Sequence, residues 1–167
     1  NSVKNIKGRA FFGCHSLTSI SIPNSVISIG EDAFTSCTSL TSITIPNSVT
    51  NIEQQAFWHC TSLTSIAVEP NNLTYDSREN CNAIIETNSN TLILGCQNTI
   101  IPNSVKSIGE QAFYKCSGLT SVTIPYSVTT IGRYAFAGCS GLTSIVVEKG
   151  NAKYDSRDNC NAIIETA

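Results

Sequence analysis

Cysteines are the residues of this chain whose number and spacing first suggest chemistry. Eight occur among 167 residues, and this content in an extracellular chain is typical of a disulfide framework. Five of them share one register of an internal repeat, and each lies between a phenylalanine and a leucine. A small thiol packs well as a hydrophobic group at such a position. We therefore expect reduced core cysteines at Cys14, Cys37, Cys60, Cys116 and Cys139.

Two further cysteines, Cys81 and Cys96, flank a predicted hairpin. If the hairpin turns at positions 88–89, paired residues sum to 177 and the two thiols face each other, so a cross-strand disulfide is possible. The alternative is that Cys96 takes the place of a strand leucine, because it lies six residues before Pro102, as those leucines lie before their own prolines. The sequence leaves both interpretations open.

Metal and catalytic sites are not indicated. The chain has no Cys-x-x-Cys or His-x-x-x-His spacing, so it predicts no zinc site. His15 and His59 adjoin cysteines of the repeated register, and no third group is indicated that would orient a Cys–His pair. Acidic and amide side chains around Asp76, and again around Asp155, could offer oxygen atoms to calcium, but their spacing matches no EF-hand loop. We predict no cofactor, no metal and no enzymatic activity.

Composition and charge exclude other classes of partner. The net charge is −2 and the ten basic residues are scattered, so the chain has no electrostatic footprint for nucleic acid. No apolar run approaches the ~18 residues of a membrane span, so no membrane insertion is expected. An apolar content of 41% with low net charge predicts a folded chain rather than a disordered one.

The cysteine register belongs to a repeat that runs through the sequence. Ala-Phe precedes the cysteine, Leu-Thr-Ser follows it, and the consensus is close to S-V-x-x-I-G-x-x-A-F-x-x-C-x-x-L-T-S-I-x-I-P-N. The period of about 23 residues lies in the range of leucine-rich repeats. One such repeat cannot bury its apolar face alone, so we expect the repeats to stack into a solenoid with a continuous core.

Each repeat predicts one strand and one turn. The segment L-T-S-I-x-I is rich in β-branched residues and ends at a proline, which is typical of a short strand. Ile-Gly-x-x-Ala-Phe predicts a sharp turn at the glycine and a short helix on the convex side. The strand ends are evenly spaced except for one longer step between positions 68 and 101, which predicts six strands and one longer repeat. We predict an α/β solenoid: a right-handed leucine-rich-repeat superhelix with a short parallel concave sheet.

The longer repeat sets the internal organisation. We interpret 1–167 as a single array that is a fragment of a longer one, with an extended repeat at 69–101. A hairpin of 83–85 and 92–94 is expected there, projecting from the convex side or an edge. The Tyr-Asp-Ser-Arg of 75–78 recurs at 154–157, so 148–167 is predicted to be a truncated second copy. Uncapped ends would expose apolar surface and favour end-to-end self-association.

The repeat pattern I-P-x-S-V-x-x-I-G-x-x-A-F-x-x-C-x-x-L resembles the BspA-type, or Treponema-type, bacterial leucine-rich repeat over the whole chain. The resemblance implies an extracellular or cell-surface bacterial protein that adheres to host matrix proteins, host cells or other bacteria. It implies no catalytic residue and no particular ligand.

The concave face is the predicted binding site. Parallel strands lie ~4.8 Å apart, so the outward serines and threonines would form rows of hydroxyls suited to protein backbone or glycans. Tyr126 joins them because it replaces the asparagine after proline, and Trp58, Tyr114 and Tyr134 are other aromatics at variable positions. The candidate ligand-binding residues are Thr18, Ser21, Thr41, Thr44, Thr64, Thr120, Thr123, Tyr126 and Thr143.

Two functions fit this surface. The first is a non-enzymatic binding module of a bacterial cell-surface or secreted adhesin that recognises a host extracellular protein or glycan. The alternative is a passive spacer or stalk with no ligand of its own, because threonine is also simply a favourable exposed strand residue.

Overall fold

The chain winds into a β-solenoid whose successive turns repeat at the predicted interval outside one insertion. The structure, a computed structural model, describes residues 2–157 and 162–166. Equivalent residues of neighbouring turns pair in parallel, as Ser28 does with Asn51 and Ser42 with Ser65. This confirms the predicted leucine-rich-repeat solenoid.

The strands are short, and most turns contribute two of them. In chain order they are β1 (Asn5–Ile6), β2 (Ser28–Ile29), β3 (Ser42–Ile45), β4 (Asn51–Ile52), β5 (Ser65–Val68), β6 (Tyr75–Asp76), β7 (Ala83–Glu86), β8 (Thr91–Gly95), β9 (Ser107–Ile108), β10 (Ser121–Ile124), β11 (Thr130–Ile131), β12 (Ser144–Val147), β13 (Tyr154–Asp155) and β14 (Ile164–Glu165). A 3₁₀ turn covers Arg78–Asn80, and the described residues contain no α-helix. They therefore include no helix long and apolar enough to cross a membrane.

The four-residue strands outside the hairpin, called the longer strands below, form two separate pairs, β3 with β5 and β10 with β12. Six strands in one sheet were expected, but the structure has no strand at the first and fourth of the six predicted positions, so the prediction is wrong there. At the fourth, the Cys96 N–H donates to Thr99 Oγ1 and the Thr99 N–H donates to the Cys96 carbonyl. These bonds close a turn where a strand was expected, so the insertion interrupts the sheet.

The predicted short helix is also wrong, because a ladder of turns replaces it. In the segment that contains the Ala-Phe motif, Asp32 (φ 58°) and Ser36 (φ 62°) have left-handed backbone conformations. Their equivalents in other repeats do too. Left-handed residues four apart are incompatible with an α-helix. The N–H groups instead alternate: Ala33 donates within its own turn to Gly30, and Phe34 donates to Ala56 of the next turn.

The consensus glycine, present as Gly30, Gly109 and Gly132, serves close packing rather than a sharp turn. Gly30 is not among the glycines with positive φ, but a Cβ at this position would lie 2.5 Å from the Gly8 N atom. A side chain there would push neighbouring turns apart.

The core is built on stacked phenylalanines. Ring centroids lie 5.0 Å apart for Phe11 and Phe34, 5.2 Å for Phe34 and Phe57, and 5.0 Å for Phe113 and Phe136. The buried side chains form two core clusters: the turns before the insertion lie in the first, the turns after it lie in the second, and residues of the insertion contribute to both. These stacks are therefore two separate series, one in each cluster.

The hairpin joins the two clusters instead of projecting from the solenoid. Ile84 on β7 belongs to the first core cluster, whereas Ile85 and Leu92 belong to the second, and all three are fully buried. Strand β8 then continues in parallel with β9. The prediction of a projecting hairpin is wrong because its isoleucines supply core that the neighbouring turns need.

The hairpin register separates the two cysteines that could have formed a disulfide. Ile85 pairs with Leu92 as expected, but the register shifts by one residue so that Ile84 pairs with Leu94. Cys81 and Cys96 are both free thiols, and they lie in different core clusters. The disulfide hypothesis is therefore wrong.

The Tyr-Asp-Ser-Arg motif caps the ends of both rows of strands. In a regular repeat, the next strand would accept the N–H groups of Ile52 and Val68. Here Tyr75 Oη accepts the Ile52 N–H at 3.0 Å, and Ser77 Oγ accepts the Val68 N–H at 2.9 Å. Burial raises the pKa of Tyr75, so its hydroxyl keeps its proton. An unpaired strand edge exposes N–H groups, and these hydroxyls satisfy two of them.

The second copy of the motif repeats the same contacts. Tyr154 Oη accepts the Ile131 N–H at 3.1 Å, and Ser156 Oγ accepts the Val147 N–H at 3.0 Å. The Tyr154 strand then pairs antiparallel with β14, as β6 pairs with β7. Two independent copies with one geometry mark this as a structural device of the longer repeat.

Replacing Tyr75 by phenylalanine tests this cap. Tyr75→Phe keeps the buried ring but leaves the Ile52 N–H without its acceptor, so we expect about 1–3 kcal/mol of destabilisation. Urea unfolding measures the loss, and amide exchange at Ile52 should accelerate. The control Tyr134→Phe alters a tyrosine that is 57% exposed and should change neither measurement. Equal stability of Tyr75→Phe and wild type would contradict the cap.

Candidate functional site

The predicted binding residues lie on or beside the outward side of the longer strands, and we call this surface the strand face. Thr44 and Thr123 lie within the strands. The others directly precede a strand (Thr41, Thr64, Thr120 and Thr143) or lie in segments without strand structure (Thr18, Ser21 and Tyr126). Along β3 the side chains alternate, with Ile43 and Ile45 buried and Ser42 and Thr44 exposed. None of the four longer strands contains a charged residue. All nine predicted residues are exposed except Thr64, which is partly buried.

Several strand-face hydroxyls serve the fold itself. Thr41 Oγ1 donates to the Thr18 carbonyl, and Thr64 Oγ1 donates to the Thr41 carbonyl, each at 3.2 Å. Thr143 Oγ1 does the same to Thr120 at 3.2 Å. These hydroxyls tie one turn to the next, and they still present oxygen lone pairs as acceptors. The strand face therefore has two polar patches, β3–β5 and β10–β12, separated by the insertion.

The repeated cysteines are free thiols; Cys37 and Cys116 are buried, and Cys60 and Cys139 are partly buried against the core. Sγ of Cys37 donates to the Phe11 carbonyl at 3.2 Å, and Sγ of Cys60 donates to the Phe34 carbonyl at 3.2 Å. Burial raises the pKa of Cys60 to about 12 and that of Cys116 to about 12. Because the thiolate is the nucleophile, these residues are unreactive at neutral pH. Only Cys14 departs from the prediction, since it is exposed.

The thiols make stability depend on alkaline pH. An unfolded thiol ionises near its ordinary pKa of 9.0, whereas Cys60 and Cys116 stay protonated to about 12 in the fold. Their contribution to the stability of the fold is therefore complete below pH 9.0 and is lost as the pH rises towards 12. The free energy of unfolding in urea should fall between about pH 8 and about pH 11, and this fall should be smaller in Cys60→Val/Cys116→Val than in wild type. An identical pH dependence in wild type and variant would contradict this assignment.

The histidines and the acidic turn have local structural partners. Nδ1 of His15 lies 3.4 Å from Thr38 Oγ1, and burial lowers the pKa of His59. The Arg78 guanidinium binds the Asp76 carboxylate, with Nη2 lying 2.6 Å from Oδ2. This ion pair occupies carboxylate oxygens that were considered as calcium ligands. In the second acidic turn, positions 158–161 lie outside the described residues.

A cavity that the sequence did not predict lies between two turn segments, 53–60 and 109–116. Its volume is about 280 Å³. The Gly95 N–H donates to the Ala112 carbonyl at 2.8 Å, just as the Phe11 N–H donates to Ala33 at 2.7 Å. Gly95 therefore occupies the position that a phenylalanine holds in the regular repeats, but it has no ring. The insertion adds no turn segment between 53–60 and 109–116. One layer of the stacked structure is missing.

The cavity has apolar walls and a polar rim. Phe57, Phe113 and Leu94 line it. Across it, Trp58 and Tyr114 stack with ring centroids 5.0 Å apart, and Gln55 Nε2 donates to Gln111 Oε1 at 3.4 Å. Trp58 Nε1 is buried and has no hydrogen-bond partner.

The sequence carried a signal for this cavity, but as a missing motif. Ala-Phe-x-x-Cys occurs at Ala56 and next at Ala112, so the longer repeat lacks it. Trp58 and Tyr114 were identified as aromatics at variable positions, yet nothing in their wide separation along the chain indicates that they meet.

Comparison with known sequences identifies the repeat. The family described as "BspA type Leucine rich repeat region" matches residues 1–91 and 84–160, in six copies. The chain belongs to the BspA-type leucine-rich-repeat family. The family match confirms the resemblance drawn from the repeat. No curated protein sequence matches the chain.

Solved bacterial structures share this BspA-type fold. The pneumococcal vaccine antigen PcpA is 23% identical with a TM-score of 0.67, covering 86% of this chain and 42% of that protein. A leucine-rich cell surface protein from Faecalibacterium prausnitzii is 26% identical with a TM-score of 0.62, covering 86% and 51%. A leucine-rich repeat protein from Bacteroides ovatus is 26% identical with a TM-score of 0.53, covering 87% and 38%. The chain thus spans about half or less of these proteins.

Proposed function

We propose that this chain is a non-enzymatic binding module of a bacterial cell-surface or secreted adhesin. The strand face would contact a host matrix protein or glycan. A cell surface protein and a vaccine antigen are among the similar structures, which supports the location. The observation that carries the proposal is the regular exposure of uncharged hydroxyls, such as Thr44 and Thr123, on strands of fixed spacing.

The recognition would be reversible hydrogen bonding at low charge. A hydroxyl both donates and accepts, so a row of them can match the alternating groups of a glycan or an extended backbone. Ser42 and Thr44 are exposed on β3, and Ser121 and Thr123 are exposed on β10. Tyr126, which is 53% exposed just beyond β10, adds an aromatic edge. Because each contact is weak, affinity would depend on engaging both patches at once.

A passive spacer is the second candidate. Thr41, Thr64 and Thr143 use their hydroxyls to bind neighbouring turns, which is a sufficient structural reason for a threonine there. Ala67 and Val146 interrupt the outward row. A spacer needs only this stiffness and no ligand.

Lysine substitutions separate the two candidates. We expect the chain to bind one or more immobilised host matrix proteins or glycans, and Thr44→Lys/Thr123→Lys to lower that binding at least about tenfold by adding bulk and charge. The matched control, Thr50→Lys/Thr130→Lys, alters exposed threonines away from the longer strands. Surface plasmon resonance measures both. Absence of any binding would favour the spacer, whereas equal losses in both variants would contradict the strand face as the binding surface.

A further inference from the structure

The cavity between turn segments 53–60 and 109–116 has the shape of a missing aromatic layer. Phe57 ends the stack that starts at Phe11, and Phe113 starts the stack that continues to Phe136. Both rings line the cavity, and Gly95 provides no ring between them. A Cβ at Gly95 would overlap the Phe113 ring, so the backbone passes close to this wall.

We propose that this cavity is a binding site for a neutral planar aromatic molecule of one or two fused rings. Stacking of offset aromatic rings adds to the free energy of burying their apolar surface. The volume of about 280 Å³ exceeds that of apolar protein cavities of about 150 Å³ that take up benzene. A fused two-ring molecule therefore fits.

The charges around the rim favour a neutral ligand. Glu53 lines the cavity, but its Oε2 already accepts the Glu31 N–H at 2.8 Å from the preceding turn. Glu110 also lines the cavity, whereas Lys115 Nζ lies 5.6 Å from the centroid of the Tyr114 ring. Charges of both signs thus lie at the rim, and an ionised ligand would gain little there against its loss of hydration.

The Trp58–Tyr114 pair is the gate of this site. The two rings come from the segments on either side of the cavity and stack across it. In this arrangement Trp58 Nε1 is buried without an acceptor, which costs free energy. Opening the pair admits a ligand and returns the indole N–H to an acceptor. The strand-face proposal does not depend on this site, and each can fail without the other.

The single tryptophan of the chain makes the test direct. In a ¹H–¹⁵N spectrum of the labelled protein, Trp58 gives the one indole N–H signal. Titration with indole should shift it saturably, together with the amides of Gly95 and Gly109, which line the cavity. Cyclohexane, indole-3-acetate and benzyltrimethylammonium should bind at least about tenfold more weakly, because they lack planarity or neutrality.

Cavity-filling variants locate the binding. Leu94→Phe and Ile93→Phe place a ring in the cavity and should weaken indole binding at least about tenfold, with the amides of Gly95 and Gly109 as reporters. Leu142→Phe is the matched control, since Leu142 is also partly buried but does not line the cavity. Thr44→Lys/Thr123→Lys should bind indole like wild type. Circular dichroism determines whether each variant is folded.

Three outcomes would overturn the proposal. They are no saturable shift with indole in wild type, unchanged indole affinity in whichever filling variant is folded, and equal or tighter binding of cyclohexane, indole-3-acetate or benzyltrimethylammonium. Loss of host binding in Thr44→Lys/Thr123→Lys with intact indole binding would leave the cavity proposal standing.

Discussion

Hydrogen bonding of the main chain from each turn to the next is the constraint on which this structure depends. Buried N–H groups must find acceptors, and in a solenoid most of those acceptors belong to the neighbouring turn. Phe34, for example, donates to Ala56 of the next turn, and Phe113 donates to Ala135. The side chains follow from this register, because it places equivalent phenylalanines face to face at about 5 Å.

One departure from the register produces both special features of the molecule. In the longer repeat the chain leaves the regular path, so Ile52 and Val68 lose the strand that would have accepted their N–H groups. Tyr75 and Ser77 supply hydroxyls in its place. When the chain returns, it reaches the phenylalanine register at Gly95 with no turn segment of its own, which leaves the cavity. The cap and the cavity are thus two consequences of one insertion.

The sequence predicted what periodicity determines and missed what depends on particular backbone angles. The period of the repeat sufficed to place Phe34, Leu40 and Cys37 in the core. It did not distinguish a helix from a turn ladder, because most of the ladder's left-handed positions are held by ordinary residues such as Gln55 and Gln111, and only Gly13 and Gly138 are glycines. Alternation along β3 and β10 sufficed to predict the exposure of Thr44 and Thr123, whereas Thr64, which precedes β5, is partly buried. The cavity was missed because it requires the spatial meeting of residues that lie far apart in the sequence.

The two proposed surfaces differ in the kind of specificity they can provide. The strand face presents the same hydroxyl chemistry on successive strands, so it can distinguish extended polar ligands from compact ones but offers few features to reject related partners. The cavity presents features that occur together only once in the described residues, including an aromatic pair and two amides. A repeated array gains selectivity only where its repetition is broken. The regular turns therefore suit extended polar partners, whereas the insertion suits one compact apolar ligand.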